Sequence, residues 1–207
     1  PFISVVSLSG SGLALNGGMN RSRAWATQAG FSVIELLFVV AIMGIVAAMA
    51  VVQLNAARPG LKGDGAMRVI LAQMRTAREL AITQRRYIRV TFTTPNQVQV
   101  TREEVPRPAT TVLSTVVLEG GVLYTLAPGV PDTPDAFGNG GAVDFGVVTN
   151  IKFTPDGMLV NQDGAGVNGS VFLAMPGEER SARAVTVLGS TGRIRGYRWD
   201  GARWRLV

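Results

Sequence analysis

One stretch of this chain constrains its fold more than any other. Phe31 to Val52 reads FSVIELLFVVAIMGIVAAMAVV, 22 residues with a single charge, Glu35. As an α-helix rising ~1.5 Å per residue it spans about 33 Å, enough to cross a hydrocarbon core of ~30 Å. It is apolar on every face, so it does not read as the amphipathic core helix of a globular domain. It is also longer than the ~7–15 apolar residues of a secretory signal, and the small residue that could mark a cut, Gly30, precedes the run instead of following it. The basic residues do not orient the segment, because Arg21 and Arg23 lie before it and Arg58 and Lys62 after it. Glu35 is the residue that needs explaining. A charge at membrane depth costs a few kcal/mol and marks a functional site by default. The helix itself offers no cation. Cleavage between Gly30 and Phe31 would create one, the α-amino group of Phe31, and on a neighbouring subunit that amine can reach Glu35.

The rest of the chain changes period twice. ARPGLKGDG (57–65), with one proline and three glycines, reads as a break between the membrane helix and a second helix for which Asp64 is the N-cap. In that second helix apolar residues recur at 67, 70, 71, 74, 77 and 81, one helical face. Arg68, Arg75, Arg78 and Arg85 fall mostly elsewhere and read as a solvated face. After Arg86 the pattern alternates. Hairpins are expected about Pro95-Asn96, strands on either side of Gly120-Gly121, a strand pair across 142–160 with a PDG turn, and further strands to the C-terminus. The fold class is α+β: a long hydrophobic transmembrane helix, a second helix, and an antiparallel β-sandwich-like head. The expected division is a leader at 1–30, a transmembrane helix at 31–58 and a head at 59–207. Met19 is read as the translational start, with 1–18 upstream of it.

The chain has no cysteine and no histidine, which excludes thiolate chemistry and removes the commonest general base and metal ligand. There is no P-loop, nucleophile elbow or zinc spacing. The carboxylate pairs 103–104 and 178–179 are adjacent in sequence, so in a strand they point to opposite faces. The loops 131–141 and 161–169 carry Asp and Asn but do not follow the EF-hand spacing, and they read as surface turns. No catalysis, cofactor or metal is expected. Charge is concentrated at the C-terminus: from Arg180 onward there are seven arginines and one acid, Asp200. With Asp200-Gly201 as a two-residue hairpin loop, Arg198 faces Arg203, a like-charge pair that an anion would relieve. Arg193 and Arg195 share a face, and a bulge at Gly196 would bring Arg198 and Arg203 onto it.

The segment GFSVIELLFVVAIMGIVAAMAVV resembles the class III leader and N-terminal helix of type IV pilins and type II secretion pseudopilins. It shares a short basic leader, a glycine before the cut, a phenylalanine after it, and a glutamate five residues into the mature chain. AQMRTARELAITQRR, IKFTPDG and RAVTVLGSTGRIRG are similar to the GspH/FimT branch, so the resemblance covers about Met19 to Tyr197. It departs from many members in having Val51-Val52 where they carry a proline. The resemblance implies a minor pilin or pseudopilin that a prepilin peptidase cuts between Gly30 and Phe31. Phe31 would then be N-methylated, and Glu35 would register subunits in a filament. It implies a single pass through the bacterial inner membrane with the head in the periplasm. The G-R-x-R arrangement at 192–195 resembles that of FimT-type minor pilins, whose C-terminal arginines contact DNA; here these would be Arg193, Arg195, Arg198 and Arg203. The alternative implied is a pseudopilin H that serves protein export and binds no nucleic acid.

Overall fold

A computed structural model of the chain describes residues 30–146 and 150–207. Residues 1–29 of the leader, with Met19, Arg21 and Arg23, lie outside the described residues, as do 147–149 of the strand pair expected across 142–160. The described residues fall into two compact units, one ending at Ile45 and the other running from Val46 to Val207.

The expected break at 57–65 does not occur. One helix, α1 (Val33–Gln84), runs through it with Pro59 inside. Proline removes one helical hydrogen bond, a local loss, and the surrounding residues are held by the sheet. Gly63 is buried, and a Cβ there would collide with the Ser181 carbonyl. Its missing side chain therefore lets the helix approach a strand closely; it does not end the helix. Asp64 is not a cap. Its Oδ1 accepts a 2.6 Å bond from Arg183 Nε, whose side chain is only 2% exposed. Arg183 Nη2 also donates to the Gly60 carbonyl at 2.8 Å. Further along, the apolar face behaves as its spacing predicts: Met67, Ile70, Leu71, Met74, Ala77 and Ala81 are all buried.

Among the described residues, eleven strands follow in two antiparallel sheets. Sheet A orders β3 (Thr110–Val117), β2 (Gln97–Glu103), β1 (Ile88–Thr93), β6 (Ile151–Phe153) and β7 (Leu159–Val160). Sheet B orders β11 (Trp204–Leu206), β10 (Arg193–Trp199), β9 (Glu178–Leu188), β8 (Gly169–Met175) and β4 (Leu123–Tyr124), with β5 (Val143–Asp144) also paired to β8. The strands flanking Gly120-Gly121, β3 and β4, thus enter different sheets. Alternation puts Ile88, Val90, Val98 and Val100 of sheet A, and Val171, Leu173, Val185 and Val187 of sheet B, into one core with the apolar face of α1. Sheet B buries its other face too. Phe172, Ala184, Tyr197, Trp199 and Trp204 form a second cluster, covered by Leu126, Ala127 and Val130 of the β4–β5 connection.

Candidate assembly segment and C-terminal arginines

Gly30, Phe31 and Ser32 precede the helix in non-helical backbone, and all three are exposed. The Gly30–Phe31 bond therefore lies outside the helical hydrogen-bond ladder. Ser32 stands at the N-cap position, where its carbonyl accepts a 3.1 Å bond from Leu36 N–H. Glu35 sits in the first turn, three residues on. S-x-x-E is the capping-box spacing, and it sets the Glu35 carboxylate in the first turn, at the positive end of the helix. The motif is present in the sequence, but it comes into view only once the helix start is known. Beyond it Leu36, Leu37, Phe38, Val39 and Val40 are all exposed. The helix is long and apolar enough to cross a membrane.

The structure disperses the arginines that the sequence concentrates. Strand β10 pairs with β9 in regular register from Arg193↔Leu188 to Arg198↔Arg183. There is no bulge at Gly196. That glycine is buried for a different reason: a Cβ would press on Leu71 Cδ1 at 2.9 Å and Met67 Sδ at 3.1 Å, so its absence lets α1 lie against the sheet. Regular alternation leaves Arg198 on the face opposite Arg193 and Arg195.

The terminal hairpin is also in a different register from the one expected. Trp199 pairs with Trp204 and Arg198 with Arg205, across a four-residue loop. Asp200 explains the choice. Its Oδ1 accepts the amides of Ala202 and Arg203, at 2.9 and 2.8 Å, and its Oδ2 accepts Arg205 Nε at 2.5 Å. The bond from Arg205, then those backbone amides, hold the Asp200 carboxyl well below the usual range. Arg205 thereby brings its own counter-charge, and Arg203 lies 3.8 Å from the same carboxylate.

Arg195 is similarly committed. Its Nη1 donates to Asp135 Oδ1 at 2.8 Å, while Asp135 Oδ2 accepts Thr186 Oγ1 at 2.6 Å and Tyr197 OH at 3.0 Å. Burial alone would raise the Asp135 carboxyl, but these three donors outweigh it and lower it. Burial, then the bond to Asp135, pushes the Tyr197 hydroxyl up. Asp135 lies in the loop read as a surface turn, and nothing in the sequence ties it to a strand some fifty residues on. Its neighbour Asp132 is spent within the same loop, accepting Thr133 N–H at 2.6 Å and Gly138 N–H at 2.9 Å.

Arg193 is exposed and lines a groove with Arg75, Arg78, Glu79, Thr191 and others. Arg78 does not belong to a solvated face. Its Nε donates to the Gly157 carbonyl at 3.0 Å and its Nη2 to the Thr191 carbonyl at 3.2 Å, tying two turns to the helix. Arg75 and Arg193 have no carboxylate partner among the described residues.

Residues 25–51 match the prokaryotic N-terminal methylation motif, a span that holds Gly30, Phe31 and Glu35. The chain is pilin-like in this segment. No curated protein matches it. Among solved structures it is similar to two crystal forms of the type IV minor pilin FimU of Pseudomonas aeruginosa strain PAO1. Each is 15% identical and covers 69% of this chain, with 91% and 96% of the FimU chain covered and TM-scores of 0.45 and 0.43.

Proposed function

We propose that this pilin-like chain is a minor pilin or pseudopilin, a non-catalytic subunit of a type IV pilus or type II secretion pseudopilus. The observation that carries the reading is the methylation motif on an exposed apolar helix whose first turn holds that helix's early acid, Glu35. In this reading a prepilin peptidase of the bacterial inner membrane cuts Gly30–Phe31, a bond outside the helical ladder, and the new amine of Phe31 is methylated. The apolar helix anchors the precursor with its head in the periplasm and later packs among like helices in the filament. There Glu35 meets the amine of a neighbouring subunit, where low dielectric penalises a missed pairing.

Mass spectrometry of the mature N-terminus from membrane or filament fractions tests the processing step. The expected terminus is N-methyl-Phe31, and any other terminus refutes the reading. Glu35 is tested by two substitutions, because it can serve the cap or the neighbour. Glu35→Gln keeps the capping box and removes the charge; Glu35→Ala removes both. Both variants are expected to insert in the membrane and to be depleted from filaments. Normal incorporation of Glu35→Gln would leave the glutamate a capping role only.

A second reading, contact with DNA phosphates, is supported by the groove that brings Arg193 beside Arg75. It gains little from Arg195, which is held by Asp135, or from Arg198 on the other face, and Arg203 has the Asp200 carboxylate 3.8 Å away. Arg75 is therefore part of the candidate surface. Arg75→Ala with Arg193→Ala is expected to weaken DNA retention by the full chain in a gel-shift assay, and Arg198→Ala with Arg203→Ala to leave it unchanged. The reverse result would return the site to the terminal hairpin.

A further inference from the structure

The outer face of sheet A carries an arrangement that is unfavourable as it stands. Arg89 on β1 lies directly across from Lys152 on β6. Like charges facing each other across strands destabilise a sheet. A third cation joins them from the β2–β3 connection: Arg107 sits 5.1 Å from the centroid of the Tyr87 ring, and Lys152 Nζ sits 5.0 Å from the same ring. These groups line a hollow of about 290 Å³ whose only acid among the described residues is Glu103. The Glu103 side chain is 8% exposed and already shared, its Oε1 with Arg89 at 2.8 Å and its Oε2 with Arg107 at 3.3 Å. Three cations thus face one carboxylate, and Lys152 has no acidic partner among the described residues.

The site is held in place before any guest arrives. Glu103 clamps two guanidinium groups, Tyr87 presents its ring to Arg107 and Lys152, and Glu104 N–H closes the connection onto the Ala109 carbonyl at 2.8 Å. Asn150, Thr110 and Gln162 add neutral polar groups to the wall. Lysine offers three donors and arginine a planar fork of five, of which the Glu103 contacts use only part. The excess of two positive charges calls for a compact guest carrying two negative ones.

We propose that this hollow binds a dianionic oxyanion, a phosphate or sulfate group. The site is separate from the Arg75–Arg193 groove and does not depend on the filament reading. The test is calorimetric titration of the full chain in neutral detergent at fixed ionic strength, with inorganic phosphate, sulfate, glycerol phosphate and succinate, against chloride. Phosphate and sulfate are expected to bind saturably. Lys152→Gln and Arg107→Gln should each weaken that binding by about tenfold or more, the worth of a charge-assisted hydrogen bond. Arg193→Gln should leave it within about twofold, as its removal touches no bond in the hollow. Glycerol phosphate binding as well as phosphate would identify the guest as the end of a phosphomonoester, such as a lipid or sugar headgroup; its exclusion would identify the free ion. Three results would overturn the proposal: no saturable heat beyond chloride, equal weakening by Arg193→Gln, or succinate binding as tightly as phosphate.

Discussion

Two arginines that look alike in sequence are opposites in structure. Arg183 is buried against Asp64 and three backbone carbonyls, those of Gly60, Arg180 and Ala182. Replacing it with leucine is expected to cost about 1–3 kcal/mol, because the half-buried Asp64 carboxylate and the backbone carbonyls lose their donor. Chemical denaturation would show this as a lower midpoint, and adding Asp64→Leu should recover part of the loss. Arg193 is exposed, and its replacement by alanine should change stability by no more than about 0.5 kcal/mol. Arg195 lies between the two. Removing it unties Asp135, so Arg195→Ala should melt below Arg193→Ala, and the pair cannot be substituted together without cost to the fold. Asp135 also supplies a pH dependence. Its folded-state carboxyl is lowered, so its contribution is present above the ordinary carboxylate pKa of ~3.9 and is lost as pH falls through the lower folded value. Asp135→Asn should flatten the acid limb of the melting-temperature profile. A profile that is unchanged in that limb would show that the three donors are held by something else.

Among elements, the helix through Pro59 is the one whose behaviour departs most from its composition. Its glycines do different jobs, and alanine substitution separates them. Gly65 is exposed with open space around it, so Gly65→Ala should stabilise by up to about 1 kcal/mol through helix propensity. Gly63 faces the Ser181 carbonyl at a distance no Cβ can occupy. Gly63→Ala should therefore lower the midpoint despite the same gain in propensity. If both variants stabilise, the helix does not lie against β9 as described. The terminal hairpin makes a parallel point. Asp-Gly is a strong two-residue turn signal, yet the four-residue loop prevails because it lets one carboxylate accept two turn amides and neutralise Arg205. Asp200→Ala should loosen β11 and leave Arg198 facing an uncompensated Arg205.

For the whole molecule, net charge of +6 overstates the local field. Four C-terminal arginines, 183, 195, 203 and 205, lie within reach of acids. If DNA binds, the contacts come from the groove around Arg75 and Arg193, so the log of the binding constant should fall with log salt by about 0.7–0.9 for each of only some two phosphates. A slope near four contacts would mean that the terminal arginines leave their partners on binding.

The sequence alone determined whatever depends on neighbours along the chain. It showed the apolar run and its one acid, the glycine before the phenylalanine, the helical face from Met67 to Ala81, and the alternation that makes this an α+β head. Each is a periodicity or a spacing, and the hydrophobic effect acts on those wherever the segment lands. Tertiary structure decided what depends on residues far apart. Beyond Pro59, α1 is tied to the sheet by Arg183, 119 residues from Asp64. The fate of Arg195 rests on Asp135, 60 residues away. The opposition of Arg89 and Lys152 exists only because β1 and β6 pair. Charge is long-ranged and carries no period, so a list of arginines does not say which are spent and which are free; only the pairing of strands and the closing of loops assigns their partners.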